Sequence, residues 1–167
     1  MTALRFRRAR EELRFRRARE EESALLTRLA RASKAIWGYP QALRAQFESE
    51  LTVTPAYIRE NLVLVAEAGE GGPLAVGALI ALDENAMELG LMFVAPGQLR
   101  RGIGMALFED LCIEARARGC RRLRIVSDPN AVGFYRLMGA VQVGEEESGS
   151  VAGRMLPVLH LDLGPRP

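Results

Sequence analysis

The feature that most constrains the fold is a glycine-containing turn that leads from an apolar segment into an amphipathic helix. Val94 ends the apolar segment, and Arg100 and Arg101 precede the glycines at Gly102 and Gly104. Glycine tolerates positive φ and lets a ligand approach the backbone closely. The unpaired N–H groups of the first helical turn and the positive end of the helix dipole form an anion site. The pattern therefore predicts a backbone site for a pyrophosphate.

Two better-known phosphate loops do not match this turn. The dinucleotide fingerprint needs G-x-G-x-x-G directly after the strand, but position 107 is Leu and a loop precedes the glycines. The P-loop needs Gly-Lys-Ser/Thr, which the sequence lacks. Because a lone G-x-G also occurs at ordinary strand-to-helix turns, its assignment depends on the rest of the chain.

Length and composition indicate one globular domain. The chain has 167 residues, of which 49% are apolar and 26% charged. No apolar run approaches the roughly 20 residues of a membrane-spanning helix, and the charged N-terminus has no apolar signal segment. Two cysteines and one histidine are too few for a disulfide framework or a clustered metal site. We expect a cytoplasmic, metal-free protein that does not bind a membrane.

The N-terminus contains a duplicated octapeptide. Residues 4–11 read LRFRRARE, and residues 13–20 repeat them without change. Apolar and charged residues alternate over 13–16, which predicts an edge strand for the second copy. We therefore place residues 1–12 in a surplus extension. A basic arm for nucleic acid is disfavoured, because glutamates interleave with the arginines and residues 23–167 hold 15 basic and 16 acidic side chains.

Hydrophobic periodicity predicts an alternation of helices and strands. A helix followed by a strand after the glycine turn indicates a parallel crossover, with Gly119 as a left-handed helix cap. The two cysteines fall on or just beyond the buried side of that helix. We predict helices over 23–38, 41–51, 104–118 and 131–138, and strands over 13–16, 62–67, 74–82, 87–94, 123–126, 140–146 and 155–163. A tail follows at 164–167.

A second motif follows the glycine turn by about thirty residues. Asn130, Phe134, Tyr135 and Gly139 form an N-x-x-x-F-Y-x-x-x-G pattern. In this order the two motifs resemble the GNAT family of acetyl-CoA-dependent N-acetyltransferases. The resemblance implies a domain over 13–163 with an α/β fold: a mixed, mostly antiparallel sheet of six to seven strands, one parallel β-α-β crossover and helices on both faces.

The resemblance implies a site for acetyl-CoA as co-substrate, without a metal. Main-chain amides from Leu99 to Met105 are expected to hold the pyrophosphate, and Val94 the pantetheine arm. Leu99 stands where the family carries Gln or Arg, and Arg136 lies beside Leu137, where many relatives carry Lys. The cofactor-binding residues implied are Phe93, Val94, Leu99, Arg100, Arg101, Gly102, Ile103, Gly104, Met105, Asn130, Phe134 and Arg136.

The resemblance also implies catalytic residues. Attack of an amine on a thioester expels a thiolate, and the phenol of Tyr135 can donate to it. Only a free amine attacks, and Glu88 matches the position of the base in several relatives. Asp83, Glu84 and a water-mediated route stay open as alternatives. Asn130 is expected to cap the following helix and to hold the pantetheine amides.

The acceptor side is less sharply defined by the sequence. Trp37 and Tyr39 lie in a region that family members use as a wall of the acceptor site, although a Trp packed under a loop explains them equally well. A Gly-Arg-x-Leu-Pro stretch at 153–157 has no assigned role. We expect transfer of an acetyl group to a small-molecule or peptide amine, with no nucleic-acid partner and with homodimers common among similar proteins. The alternative is an acyl-CoA-binding module without turnover.

Overall fold

The computed structural model describes residues 2–165, so Pro167 and Arg166 of the predicted tail lie outside the described residues, as does Met1. Seven helices and seven strands follow one another in these residues, with three short 3-10 turns between them. The helices are α1 (Thr2–Glu12), α2 (Ser23–Ala35), α3 (Gln41–Gln46), α4 (Glu48–Leu51), α5 (Pro55–Glu60), α6 (Ile103–Ala117) and α7 (Val132–Leu137). The strands are β1 (Arg14–Arg17), β2 (Leu62–Glu67), β3 (Pro73–Ala81), β4 (Ala86–Val94), β5 (Arg122–Val126), β6 (Val141–Glu147) and β7 (Met155–Asp162).

The strands form one mixed sheet in the order β1-β2-β3-β4-β5-β7-β6. Every neighbouring pair is antiparallel except β4 and β5, which α6 connects as a parallel crossover. Gly119 ends that helix at a φ of 83°. The predicted fold class is confirmed, and β1 lies at the edge of the sheet as predicted.

Helices cover both faces of the sheet because its central strands are apolar on both sides. In β2, Leu62 and Leu64 pack into a core with α6, whereas Val63 and Val65 pack into a second core with α2 and α5. All six residues of β2 are buried, which explains why its sequence is a continuous apolar run rather than an alternating one. No helix within residues 2–165 is long and apolar enough to cross a membrane.

The helical prediction for 41–51 was too simple. Two short helices, α3 and α4, meet at Phe47, which is fully buried against Ala30 and Leu51. The prediction also missed α5, which begins after Thr54, whose hydroxyl accepts the N–H of Tyr57. With only six residues, this helix is too short to show a helical period.

The two copies of the octapeptide adopt different structures. The first copy lies within α1, which packs on α6, and the second copy forms β1. Arg10 of α1 donates to Asp110 of α6 at 3.1 Å, and Ala9 is buried. An identical sequence can do this because its local preference is weak, so surrounding contacts select the structure.

Candidate active site

The strands β4 and β5 separate after the first third of β4. They pair only from Ala86 to Glu88 of β4 and from Arg122 to Arg124 of β5. Beyond that point β5 continues to pair with β7, and β4 continues to pair with β3 as far as Val94. The sheet therefore opens into a wedge between its two central strands.

A cavity of about 640 Å³ occupies this wedge. Its lining reaches from Leu99 and Gly104 at the helix start, past Phe134 and Tyr135 of α7, to Glu88 on β4. On the other side Trp37, which is half exposed, lies at its wall. The volume is typical of a ligand site for a medium-sized organic molecule.

The start of α6 presents unpaired main-chain donors at one end of the cavity. Within residues 2–165, the amides of Ile103, Gly104 and Met105 donate to no protein acceptor, whereas the amide of Ala106 donates to Gly102. Gly102 has a φ of 82° and Arg100 a φ of 60°, so both turn the chain sharply before the helix. These are the unpaired donors of a helix N-terminus, and of the three residues Gly104 lines the cavity.

Helix α1 covers part of this turn, an arrangement that the sequence did not predict. A Cβ built at Gly102 would lie 2.9 Å from the carbonyl oxygen of Arg5. The side chain of Arg5 also donates to the carbonyl of Arg100 at 3.1 Å. Only a glycine at position 102 permits this close approach of the two backbones.

Tyr135 lines the cavity from α7. Its side chain is largely buried among Phe108 and Phe134, and its hydroxyl has no hydrogen-bond partner in the described part of the chain. Burial, together with the charge of Asp128, raises the pKa of this phenol well above its usual range. The hydroxyl therefore stays protonated at neutral pH and is available as a donor.

Glu88 lies on β4 where the two strands separate. Its carboxylate pairs with the guanidinium of Arg124, which also pairs with Glu146 of β6. Arg124 was absent from the predicted site, although it faces Glu88 across the parallel pair. Arg124 thus makes one contact with each of two carboxylates and orients Glu88 at the cavity wall.

Asp128 organises a polar cluster at the wall of the cavity. It accepts from Lys34 at 2.6 Å and from the hydroxyl of Tyr39 at 2.9 Å, and Arg154 approaches it at 3.4 Å. Desolvation raises the pKa of the Asp128 carboxyl, but the contact with Lys34 and the hydrogen bonds from Asn130 and Tyr39 together hold it below its usual value. The stretch at 153–157 thus contributes Arg154 to this cluster.

The expectation that Asn130 caps the following helix was wrong. Helix α7 begins after Ala131 with no side-chain cap, and Asp128 caps the short 3-10 turn before it, because its carboxylate accepts the N–H of Asn130 at 2.9 Å. The side-chain amide of Asn130 donates instead to Tyr39 and to Asp128, both at 3.0 Å. An Asp and an Asn two positions apart are both good caps, so the sequence alone does not separate them.

Tyr57 is a cavity-lining residue that the sequence did not reveal. Among the described residues, its hydroxyl is the only completely enclosed side-chain polar atom without a hydrogen-bond partner. The hydroxyl lies against Gly90, a residue of β4 that has no partner in β3 because the strand bulges there. A Cβ built at position 90 would overlap the hydroxyl. A glycine within a predicted strand was the available signal, since it often marks a bulge or a close approach.

The predicted residues divide into three groups in the structure. Phe93, Val94, Leu99, Gly104, Asn130 and Phe134 line the cavity, with Glu88, Tyr135 and Trp37. Arg100, Arg101, Gly102, Ile103 and Met105 belong to the turn beside it without lining it. Arg136 is exposed and donates to Gln142, and Tyr39 lies behind Asp128, so these two side chains do not reach the cavity.

Comparison with known proteins identifies this arrangement. The model of the acetyltransferase (GNAT) family matches residues 23–140. Glucosamine 6-phosphate N-acetyltransferase 1 of Oryza sativa subsp. japonica is 31% identical over 109 residues, a match that covers 61% of this chain. The chain spans only 64% of the length of that curated relative.

Solved structures share the fold. A GCN5-related N-acetyltransferase from Rhodopseudomonas palustris superposes with a TM-score of 0.73 at 20% identity, covering 89% of this chain and 94% of that one. The PaiA N-acetyltransferase from Thermoplasma acidophilum, in complex with coenzyme A, also gives 0.73 at 17% identity, with 90% and 98% covered. A GNAT acetyltransferase from Brucella melitensis, in complex with acetyl-CoA, gives 0.67 at 21% identity, with 92% and 89% covered.

Proposed function

This chain belongs to the acetyltransferase (GNAT) family, and we propose that it transfers the acetyl group of acetyl-CoA directly to a primary amine in a ternary complex. The observation that carries the proposal is the single cavity that joins the start of α6 to Tyr135 and Glu88 along the parted strands. One site for a long, phosphorylated thioester and one for an amine thus meet between β4 and β5. Acetyl-CoA would supply the acetyl group as an activated thioester.

The residues at one end of the cavity suit the cofactor. The free amides of Ile103, Gly104 and Met105 are hydrogen-bond donors for a pyrophosphate, and the helix dipole favours its charge. Beyond Glu88 the edge of β4 that faces β5 has no pairing strand, and a pantetheine arm can bind along it as an added strand. Amides near Phe93 are our candidates to polarise the thioester carbonyl.

Tyr135 and Glu88 take the roles of acid and base in this proposal. Glu88, directly or through water, accepts a proton from the acceptor ammonium, and the free amine then attacks the thioester carbonyl to form the new C–N bond. The nitrogen loses its second proton to water as the amide forms, and Tyr135 recovers a proton from water after the thiol has left. As the C–S bond breaks, the protonated phenol of Tyr135 donates to the sulfur that takes up the electron pair. Alignment of the two reactants supplies most of the rate, because neither step uses a covalent enzyme intermediate.

Both cysteines are poor candidates for a nucleophile. Cys112 on α6 and Cys120 after it are buried and free, and neither lines the cavity. Burial raises the pKa of the Cys112 thiol to about 11, so its reactive thiolate is scarce at neutral pH. This supports direct transfer over a route through an acetylated cysteine.

The alternative of a binding module without turnover is less well supported. Such a module would leave Tyr135 packed away from the cavity and would need no carboxylate at the acceptor side. Here Tyr135 and Glu88 both line the cavity. Glu88 is moreover oriented by Arg124.

Two measurements on the same protein test the proposal. Release of coenzyme A from acetyl-CoA is followed in the presence of a panel of primary amines, and binding of acetyl-CoA is measured by calorimetry. We expect binding together with amine-dependent release. Binding without release for any amine would support the non-catalytic module, and absence of binding would overturn both functions.

A further inference from the structure

The C-terminal half of α1 is fixed to α6 and to the edge strand. Ala9 is buried, and Arg10 donates to the carboxylate of Asp110 at 3.1 Å and to the carbonyl of Ala106 at 3.4 Å. The guanidinium of Arg10 also lies over the ring of Phe15 in β1, 5.3 Å from its centroid. These contacts determine where the rest of α1 lies on the surface.

The N-terminal half of α1 lies on the glycine turn that precedes α6. The carbonyl oxygen of Arg5 would come within 2.9 Å of a Cβ built at Gly102, and the side chain of Arg5 donates to the carbonyl of Arg100 at 3.1 Å. Since Arg5 lies at Gly102 and Arg10 at Ala106, the two helices run side by side in the same direction. Helix α1 therefore contacts the turn itself and not only the helix that follows it.

Arg100 is the strained residue of this turn. Within residues 2–165 it is the only residue other than glycine with a positive φ, at 60°. Steric repulsion disfavours this left-handed conformation by about fivefold for a residue with a Cβ. Such outliers persist where the surrounding structure holds them, and they cluster at ligand sites. The guanidinium of Arg5 binds the carbonyl of this same residue.

The φ of Arg100 determines how the amides of the turn are arranged relative to those of α6. The N–H of Ala106 donates to the carbonyl of Gly102, so the amides of residues 103–105 have directions set by the helix. The amides of residues 99–102 lie outside the helix, and their directions change with the φ of Arg100. The donors proposed for the pyrophosphate, from Leu99 to Met105, thus keep their present arrangement only while Arg100 keeps its positive φ.

We propose that α1 holds the glycine turn in the conformation that binds the pyrophosphate of acetyl-CoA, and that Arg5 is its positioning residue. This role rests on the acetyltransferase function proposed above. Helix α1 lies ahead of residues 23–140, which the family model matches, so its role follows from the contacts of this chain and not from the family. The first copy of the octapeptide is then part of the support of the cofactor site rather than a surplus extension.

Arg5→Met tests this role in the full chain. Methionine keeps a long side chain and a good helix propensity, but it donates no hydrogen bond to Arg100. A ligand binds only the fraction of molecules whose site already has the right conformation, so we expect the Kd for coenzyme A, measured by calorimetry, to rise about fivefold.

Arg7→Met is the matched control for this variant. Arg7 is exposed on the same helix, and its substitution removes the same charge. We expect it to leave the Kd for coenzyme A unchanged. An equal loss of affinity in both variants would show a general attraction between the arginines of α1 and the phosphates, and would overturn the proposal.

A second substitution, at Arg100, separates positioning from direct contact. Glycine adopts a positive φ about as readily as a negative one, so Arg100→Gly removes the strain against which Arg5 holds the turn. In the Arg100→Gly background, Arg5→Met should change the Kd for coenzyme A by less than about twofold, since the two residues act through one conformation. The same fivefold loss in both backgrounds would mean that Arg5 contacts the cofactor directly, and would overturn its positioning role.

Steady-state kinetics distinguish positioning of the turn from general support of the fold. Arg5→Met should raise the KM for acetyl-CoA, while kcat and the KM for the amine stay the same, because no residue of α1 within 2–12 lines the cavity. The melting temperature should also stay the same, since Arg5 is exposed. A lower kcat together with a lower melting temperature would show that α1 only stabilises the fold, and would overturn the proposal.

The outcomes also separate this proposal from the function on which it rests. Equal binding of coenzyme A by the unmodified protein and by Arg5→Met would overturn the role of α1 and leave the acetyltransferase intact. Tighter binding by Arg5→Met would overturn it as well, because α1 would then compete with the cofactor. If the unmodified protein bound no coenzyme A, the acetyltransferase would be overturned, and the positioning role with it.

Discussion

The carboxylate of Glu22 accepts hydrogen bonds from two nitrogens of the Arg16 guanidinium, at 2.7 and 3.0 Å. Glu22 also accepts the N–H of Arg19, and Arg16 donates onward to Glu67 of β2. The position equivalent to Glu22 after the first copy of the octapeptide is Leu13. The first copy therefore lacks the carboxylate that fixes the second copy as an edge strand.

Glu22→Gln should destabilise the protein, because it leaves the largely buried guanidinium of Arg16 with one fewer charged partner. We expect a loss of roughly 2 kcal/mol in the free energy of unfolding, measured with urea. Glu21→Gln is the control, since Glu21 is exposed and next to Glu22 in sequence. Equal losses in both variants would contradict a specific role for the Arg16–Glu22 pair.

Acid should destabilise the same region. Hydrogen bonds from Arg16 and Arg14 lower the pKa of Glu67 to about 2, and Arg16 likewise lowers the pKa of Glu22 from its ordinary value of 4.5. A carboxyl group whose pKa is lower in the folded than in the unfolded state stabilises the protein at pH values above its unfolded-state pKa. This stabilisation is lost as the pH falls through the folded-state pKa. Urea midpoints should thus decline between about pH 5 and pH 2.

The pH dependence has its own control. Glu67→Gln removes the most strongly shifted of these carboxyl groups, so its urea midpoint should vary less over the same pH range. A urea midpoint that changes with pH as steeply as in the unmodified protein would assign the acid sensitivity to other carboxylates.

Tyr135→Phe should lower kcat and leave the affinity for coenzyme A nearly unchanged, because the hydroxyl acts chiefly as the thiol departs. A loss of about a hundredfold is expected for a general acid. Steady-state assays and calorimetry with coenzyme A check the two parts. An unaltered kcat would remove Tyr135 from the proposed mechanism.

Gly102→Ala should cost more stability than Gly119→Ala. Both glycines have a φ near 82°, so both substitutions incur similar backbone strain of about 1 kcal/mol. Only at Gly102 would the new Cβ also meet the backbone of α1, whereas nothing lies within 4 Å at Gly119. Thermal unfolding of the two variants compares these costs directly.

Removal of residues 1–12 tests the contact between α1 and Gly102, and it tests our proposal that residues 13–163 form the domain. The shortened chain should fold, because the second copy of the octapeptide supplies β1. In the shortened chain, Gly102→Ala and Gly119→Ala should cost equal stability, since α1 is no longer present. An unfolded product would show that α1 is an integral part of the domain.

Much of the fold could be predicted because it depends on local patterns. The predicted strand at Leu62–Glu67, apolar up to Ala66, matches β2 residue for residue, and the glycine turn correctly marks the start of α6. Weaker local signals were less informative: the six-residue α5 shows no helical period, and Phe47 interrupts what reads as one helix.

The candidate site could be predicted where its residues are close in sequence, as around Gly104 and Tyr135. Its polar cluster could not, because Lys34, Asp128 and Arg154 come from distant segments that only the folded chain brings together. The same holds for Tyr57, whose hydroxyl is unusual only because β4 bulges at Gly90 beside it.

By itself, the sequence determined the succession of strands and helices, the turn with its free amides, and the family to which they point, because each depends on neighbours along the chain. Tertiary structure alone decided that the first of two identical octapeptides becomes a helix while the second becomes a strand. Both copies have the same local preferences, so the choice depends on contacts with Glu22 and Glu67 for one copy and with α6 for the other.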